Sequence, residues 1–243
     1  MEKRGFFRKT PLEDIIRENM VWMPYYRIQF NYTRPERGLI QSGETGRGET
    51  ALNAMFCGSV KSERELFMLF RPNYLKYKVI RHSPQPEEIV GPTFSTDFDG
   101  VFGGFVKRLN EVRDELHELR SELHKTRVRV RKYSWIIPAP WDLKKERTLS
   151  EKVGKLSATK NTLTICLNVN EDLNSIKVTG HNIFYYPTLV VTLKNKENGT
   201  ERHLIISLAE GRLSGKKLSC DRGLMRFCNE NSVCREIITS VIM

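Results

Sequence analysis

Apolar residues recur at a regular spacing through the middle of the chain. From Phe102 they fall at Phe105, Leu109, Val112, Leu116, Leu119, Leu123, Thr126, Val130 and Tyr133, with gaps alternating between three and four. That is the seven-residue period of a coiled-coil seam, and it predicts one long helix. Leu109, Leu116 and Leu123 take position a, with Val112 and Leu119 at d. Glu115 and Glu122 then fall at g, and Arg113, Arg120 and Arg127 at e. In a parallel pair of copies Glu115 would face Arg120 and Glu122 would face Arg127, whereas antiparallel copies would oppose like charges. The seam therefore predicts a parallel homodimer through the helix, packing on the chain's own sheet, or a foreign helix. Gly103 and Gly104 place the start of regular helix after them, since glycine costs about 1 kcal/mol in a helix interior. From Phe105 to Thr126 the helix would span roughly 33 Å.

The flanks alternate instead. Tyr26, Ile28, Phe30 and Tyr32 are separated by polar residues, the pattern of a half-buried strand, and Leu75, Tyr77 and Val79 alternate in the same way. Before them, Thr10-Pro11-Leu12-Glu13 is a capping box with proline at the first helical position, which predicts a short helix to about Glu18. Thr33 to Gly48 reads as a polar loop, and Glu63 to Phe70 as a short helix. Beyond the seam, Arg127 to Trp135 switches toward period two and predicts a strand, while Leu143 to Leu156 predicts a second helix folding back on the first. Strands follow at Leu163–Val169 and Ile176–Val178. Pro187–Leu193 and His203–Leu208 form a hairpin closed near Asn198-Gly199, and Leu224 to Ile242 reads as a helical tail. These elements predict an α+β fold in which two small antiparallel β units flank a helical hairpin or coiled coil. The segments are an N-terminal unit at 1–82, a proline-rich linker at 83–99, helices at 100–160 and a C-terminal hairpin unit with its tail at 161–243.

The two β units look alike. Pro24 opens one aromatic-rich strand and Pro187, after Tyr185 and Tyr186, opens another. Ala51 to Val60 and Leu204 to Leu213 are the partner strands, with Gly58 and Gly211 in register. One unit used twice is the reading. A proline–aromatic strand followed by an apolar strand ending in glycine, over residues 22 to 80 and 184 to 213, resembles small β modules appended to DNA-translocating ATPases of the HerA/FtsK-like class. The resemblance implies an accessory relative with an ATPase partner. It carries no catalytic residue, because the ATPase core is missing from these residues.

Charge narrows the partners. There are 40 Lys and Arg against 29 Asp and Glu, a formal net charge of +11, which favours polyanions. Between Lys125 and Arg147 lie Lys125, Arg127, Arg129, Arg131, Lys132, Lys144, Lys145 and Arg147, opposed only by Asp142 and Glu146. Tyr133, Trp135 and Trp141 are interleaved with them. On a strand, Arg127, Arg129 and Arg131 would share one face about 7 Å apart, suited to DNA or RNA phosphates, with rings for base stacking.

Other chemistry is weaker. Gly43 to Thr50 has phosphate-loop spacing, but Glu49 stands where lysine would reach the phosphates. Cys220, Cys228 and Cys234 lack the paired spacing of a zinc site, and His117 and His124 sit at solvent-facing b positions about 10 Å apart along the helix. Neither a metal nor another cofactor is expected. Five cysteines without a secretory leader or an apolar run of membrane length suggest reduced thiols in the cytoplasm. The sequence thus points to a non-enzymatic interaction protein that binds nucleic acid or a DNA-handling ATPase. An enzyme subunit completed by a partner and a structural homodimer stay open beside it.

Overall fold

The structure is a computed structural model and describes residues 13–34, 45–76, 98–132, 140–169, 173, 175–207 and 220–242. It is an α+β fold. The strands are β1 (Glu13–Thr33), β2 (Thr45–Asn53), β3 (Ser175–Asn195) and β4 (Glu201–Ser207). The helices are α1 (Glu63–Phe67), α2 (Phe98–Lys132), α3 (Pro140–Cys166), α4 (Arg222–Glu230) and α5 (Ser232–Ile242), with short 3-10 turns at Cys57–Ser59 and Pro72–Lys76.

The two hairpins flank the helices in sequence but join in space. They form one antiparallel sheet in the order β2-β1-β3-β4, with the long strands β1 and β3 paired at its centre. The register reveals a local two-fold axis. Trp22 pairs with Pro187 and Pro24 with Tyr185, so the axis passes beside the Met23–Tyr186 pair. Turning about it carries Tyr25 onto Thr188 and Asn31 onto Lys194, and their partners on β2 and β4 match: Asn53 with Ser207, Arg47 with Glu201. The bulges match too, one leaving Ile16 unpaired on β1 and the other Thr179 on β3. Beyond the hairpins, Leu52 bridges Phe70 where Ile206 bridges Cys220. The sequence repeat is therefore structural, with one correction. Ala51 corresponds to Ile205 rather than Leu204, and Gly211 lies outside the described residues.

Several local expectations give way. Glu13 to Glu18 is strand, not helix, because β3 supplies backbone partners from Asn195 to Val191. Ion pairs reinforce that pairing, Glu13 to Arg202 and Asp14 to Lys196 (2.9 Å). Thr45 to Gly48 is not loop but the start of β2, and its glycines admit aromatic rings from the neighbouring strand: Phe30 lies over Gly48 and Tyr32 over Gly46. Helix α2 begins before Gly103 and Gly104. Phe98, Phe102 and Phe105 are buried around them, and that burial outweighs the glycine penalty. Arg127 to Lys132 stays helical. Leu163 to Cys166 ends α3 instead of forming a strand. The tail divides at Asn231, whose side chain accepts from Val233 and Cys234. Tyr77, Val79 and the 83–97 part of the linker lie outside the described residues.

The main core gathers on the sheet. Tyr25, Tyr26, Ile28, Phe30, Leu52 and Phe56 pack with Phe98 to Val112 of α2, Leu163 of α3 and Phe227 of α4. Beside the two-fold axis Tyr74 stacks on Tyr186 at 3.8 Å between ring centroids, and Tyr25 meets both edge-on.

Candidate functional site

Helices α2 and α3 leave the sheet together as an antiparallel arm. Up to Val112 the buried face of α2 belongs to the sheet-centred core; Leu116, Leu123 and Thr126, and Leu149 on α3, are buried outside it. The predicted seam residues are thus divided. Leu109 and Val112 anchor the helix base, while Leu116, Leu119 and Leu123 meet the chain's own α3. The charges expected to join two copies are answered within one chain. Glu122 pairs with Lys145 at 2.8 Å, Arg127 with Glu146 at 3.0 Å, and Arg120 donates to Ser157. Glu115 is exposed. The predicted parallel-dimer seam is therefore filled intramolecularly, because α3 follows α2 closely in the same chain and stays beside it at high effective concentration.

The basic residues cluster at the outer end of this arm. Lys125, Arg127, Arg129, Arg131 and Lys132 occupy the last two turns of α2, and Lys144, Lys145 and Arg147 the first turns of α3, all exposed. Trp135 lies outside the described residues. Because Arg127 to Arg131 is helical, the three arginines do not share one face: Arg127 and Arg131 fall together, and Arg129 points away. The cations wrap the tip rather than line a ribbon.

Trp141 shares a groove with Lys144, Lys145 and Lys152 and keeps 73% of its surface exposed; Leu143 and Val128 of the arm are exposed at 47% and 50%. A buried tryptophan can remove about 200 Å² from water, so this exposure leaves roughly 3 kcal/mol of burial unrealised. Trp141, Lys144, Lys145, Thr148, Leu149 and Lys152 of α3 line a groove of about 400 Å³ with Leu119 and Glu122 of α2. The α3 members recur at helical spacing, a signal present in the sequence but hidden by low overall amphipathicity. Lys145, hydrogen-bonded to Glu122, holds that carboxyl below its usual range.

Ionisable side chains also meet beside the two-fold axis and at the base of the arm. Beside the two-fold axis the Arg71 guanidinium forks onto the Asp221 carboxylate, with side-chain exposures of 15% and 7%. Tyr74 also donates to Asp221 at 3.0 Å. Burial opposes the Arg71 charge, but the Asp221 hydrogen bonds outweigh it and hold arginine above its ordinary pKa. Burial pushes the hydroxyls of Tyr25 and Tyr74 well up. Arg71 and Tyr74 both donate to Asp221, so the cluster reads as a clamp joining the two repeats. At the arm's base, a 220 Å³ apolar pocket sits between α1, α2 and α3 under the Glu63–Arg108 pair.

The phosphate-loop-like segment is strand from Thr45 onward, and Glu49 is held by Arg27 at 2.7 Å. Cys228 and Cys234 are buried and Cys220 is exposed; burial raises Cys57 and Cys166 to about 12 and Cys234 to about 11. His117 and His124 face solvent on α2. Among the described residues no helix is long and apolar enough to cross a membrane. No family model matches the chain, and no curated protein or solved structure matches it either.

Proposed function

We propose that the protein is a non-enzymatic binding module that holds nucleic acid at the tip of its helical arm. The observation that carries this reading is the concentration of exposed cations around an exposed tryptophan, at the end of an arm standing off the sheet. Cations supply affinity by displacing counterions from phosphates, and they need no fixed geometry to do so. The arm projects them clear of the body, where a polymer can approach from several sides. The sheet and its two-fold clamp provide a base that fixes the direction of the arm. Three of the cations, Arg127, Lys145 and Arg147, are paired with carboxylates of the arm itself, so a phosphate has to compete for them.

Filter binding across a salt series tests the reading. The protein should bind DNA or RNA at 50 mM salt and lose affinity steeply by 200 mM, with a log–log slope of about −0.7 to −0.9 per phosphate contacted. The triple variant Lys125→Gln, Arg129→Gln, Lys144→Gln should flatten that slope while far-UV circular dichroism stays unchanged. Binding absent at low salt, or unaltered in the triple variant, refutes the proposal.

A further inference from the structure

We infer that the ligand at this tip is single-stranded nucleic acid, with one base stacked on Trp141 and its flanking phosphates held by Lys144 and Lys152; this rests on the proposal above and narrows it. Trp141 begins a stripe on α3 that continues through Lys144, Lys145, Thr148 and Lys152 along one side of the groove. The indole is the most exposed of the large apolar side chains among the described residues. Phosphates alone give no reason to place an apolar ring there. Base faces do, and only an unpaired strand presents them, since a duplex hides its faces in the stack.

The opposite wall explains the rest of the groove. Leu119 supplies an apolar floor. Glu122 holds Lys145 at 2.8 Å, which keeps this lysine extended along the groove edge in the free protein. A phosphate entering beside Lys145 competes with Glu122 for it, so the carboxylate acts as a built-in competitor. Thr148 sits between Lys144 and Lys152 on the same side, its hydroxyl donating to the Lys144 carbonyl at 3.0 Å. Lys144 and Lys152 are about 12 Å apart along α3, far enough for separate phosphates.

Fluorescence anisotropy on a labelled single-stranded oligonucleotide and on the same sequence as duplex separates the possibilities. The wild type should bind the single strand more tightly, with quenching of tryptophan emission. Trp141→Phe should remove that quenching, which assigns it among the three tryptophans. Trp141→Ala should weaken single-strand binding by about 5- to 150-fold, leave duplex binding alone and keep the salt slope. Trp141→Phe should retain most of the affinity. Glu122→Gln should tighten binding of the single strand. Equal affinity for both forms with no effect of Trp141→Ala overturns this inference and leaves the arm as a phosphate binder. Failure of both forms to bind at low salt overturns the proposal beneath it as well.

Discussion

The Arg71–Asp221 clamp predicts a large and specific stability effect. Phe70 and Cys220 occupy matching bridges, and the next residues match in their backbone bonds: Arg71 donates to Ala51 at 2.7 Å and Asp221 to Ile205 at 2.8 Å. The two side chains therefore come from equivalent positions of the repeat and meet beside its axis. Asp221 also accepts from Leu224 at 2.9 Å, which caps α4. Asp221→Asn preserves the cap and the contact with Tyr74 but leaves the guanidinium buried without its counter-charge. Breaking a buried pair by removing one partner costs about 3–5 kcal/mol. Arg71 keeps 15% of its side-chain surface, so some water reaches it and the lower figure, about 3 kcal/mol, is expected. For a chain of this size that lowers Tm by about 6–12 °C. Asp221→Ala should cost about 1 kcal/mol more, because the cap goes too. The double variant Arg71→Leu, Asp221→Asn removes the stranded charge and should recover at least about 2 kcal/mol relative to adding the single effects. Urea unfolding and thermal melts followed at 222 nm read the wild type, Asp221→Asn, Asp221→Ala, Arg71→Leu and the double variant. A shift under 2 °C for Asp221→Asn, or strict additivity in the double variant, would show that no clamp exists.

Two further predictions concern packing and protons. A Cβ at Gly103 or Gly104 meets nothing within 4 Å, so alanine at either site should stabilise α2 by about 1 kcal/mol, whereas Gly48→Ala should destabilise by about 1–3 kcal/mol by displacing the Phe30 ring; thermal melts with the opposite ordering would refute the packing account. His203 is buried against Thr192 at 3.1 Å, and burial, helped by the Arg235 charge and opposed by Glu201, lowers its pKa below the ordinary 6.5. The unfolded chain then takes up a proton that the folded chain refuses, so stability should be intact above about pH 6.5 and fall below it, by up to about 1.4 kcal/mol per pH unit until the folded pKa is reached. His203→Gln should flatten that limb in urea titrations from pH 7.5 to 5; an unchanged slope would exclude the histidine.

The parts of the fold legible in sequence were those whose period is set by one strong partner surface. The heptads from Phe105 to Thr126 predicted a helix that is present, and the hairpin around Asn198-Gly199 forms with Gly199 at φ 68. What the heptads leave undetermined is whose helix fills the seam, since a seam reads the same against a second copy and against α3. Glu13 to Glu18 reads as helix because a capping box is a local signal, whereas the partner strand is reached only through a pairing as distant as Glu13 with Asn195. The repeat was visible in its prolines, but aligning its glycines displaced β4 by one position; a one-residue shift exchanges the two faces of a strand, so only pairing settles the register. The basic tip was legible as composition. Its shape was not, because alternation from Arg127 to Arg131 mimics a strand while the residues complete a helix.

The repeat also bears on where function resides. In each copy the hairpin leads to a bridge and then a pair of helices, with α1 before the bridge in the first, and in the second copy helices of nine and eleven residues suffice to close its half of the sheet. The first copy carries helices of 35 and 27 residues. Only the inner turns of those helices, as far as Val112 on α2 and inward from Leu163 on α3, enter the core. From Leu116 to Lys132 α2 runs about 24 Å further, held by a seam of few buried side chains and marked by Thr126, whose buried hydroxyl finds no partner among the described residues. A longer helix that adds little burial, keeps a polar atom in its seam and leaves a tryptophan in water does not contribute much to the stability of the sheet. The extension that departs from the repeat is also the part that concentrates cations, and this coincidence of asymmetry and charge is the reason the proposed binding site lies on the arm rather than on the doubled sheet.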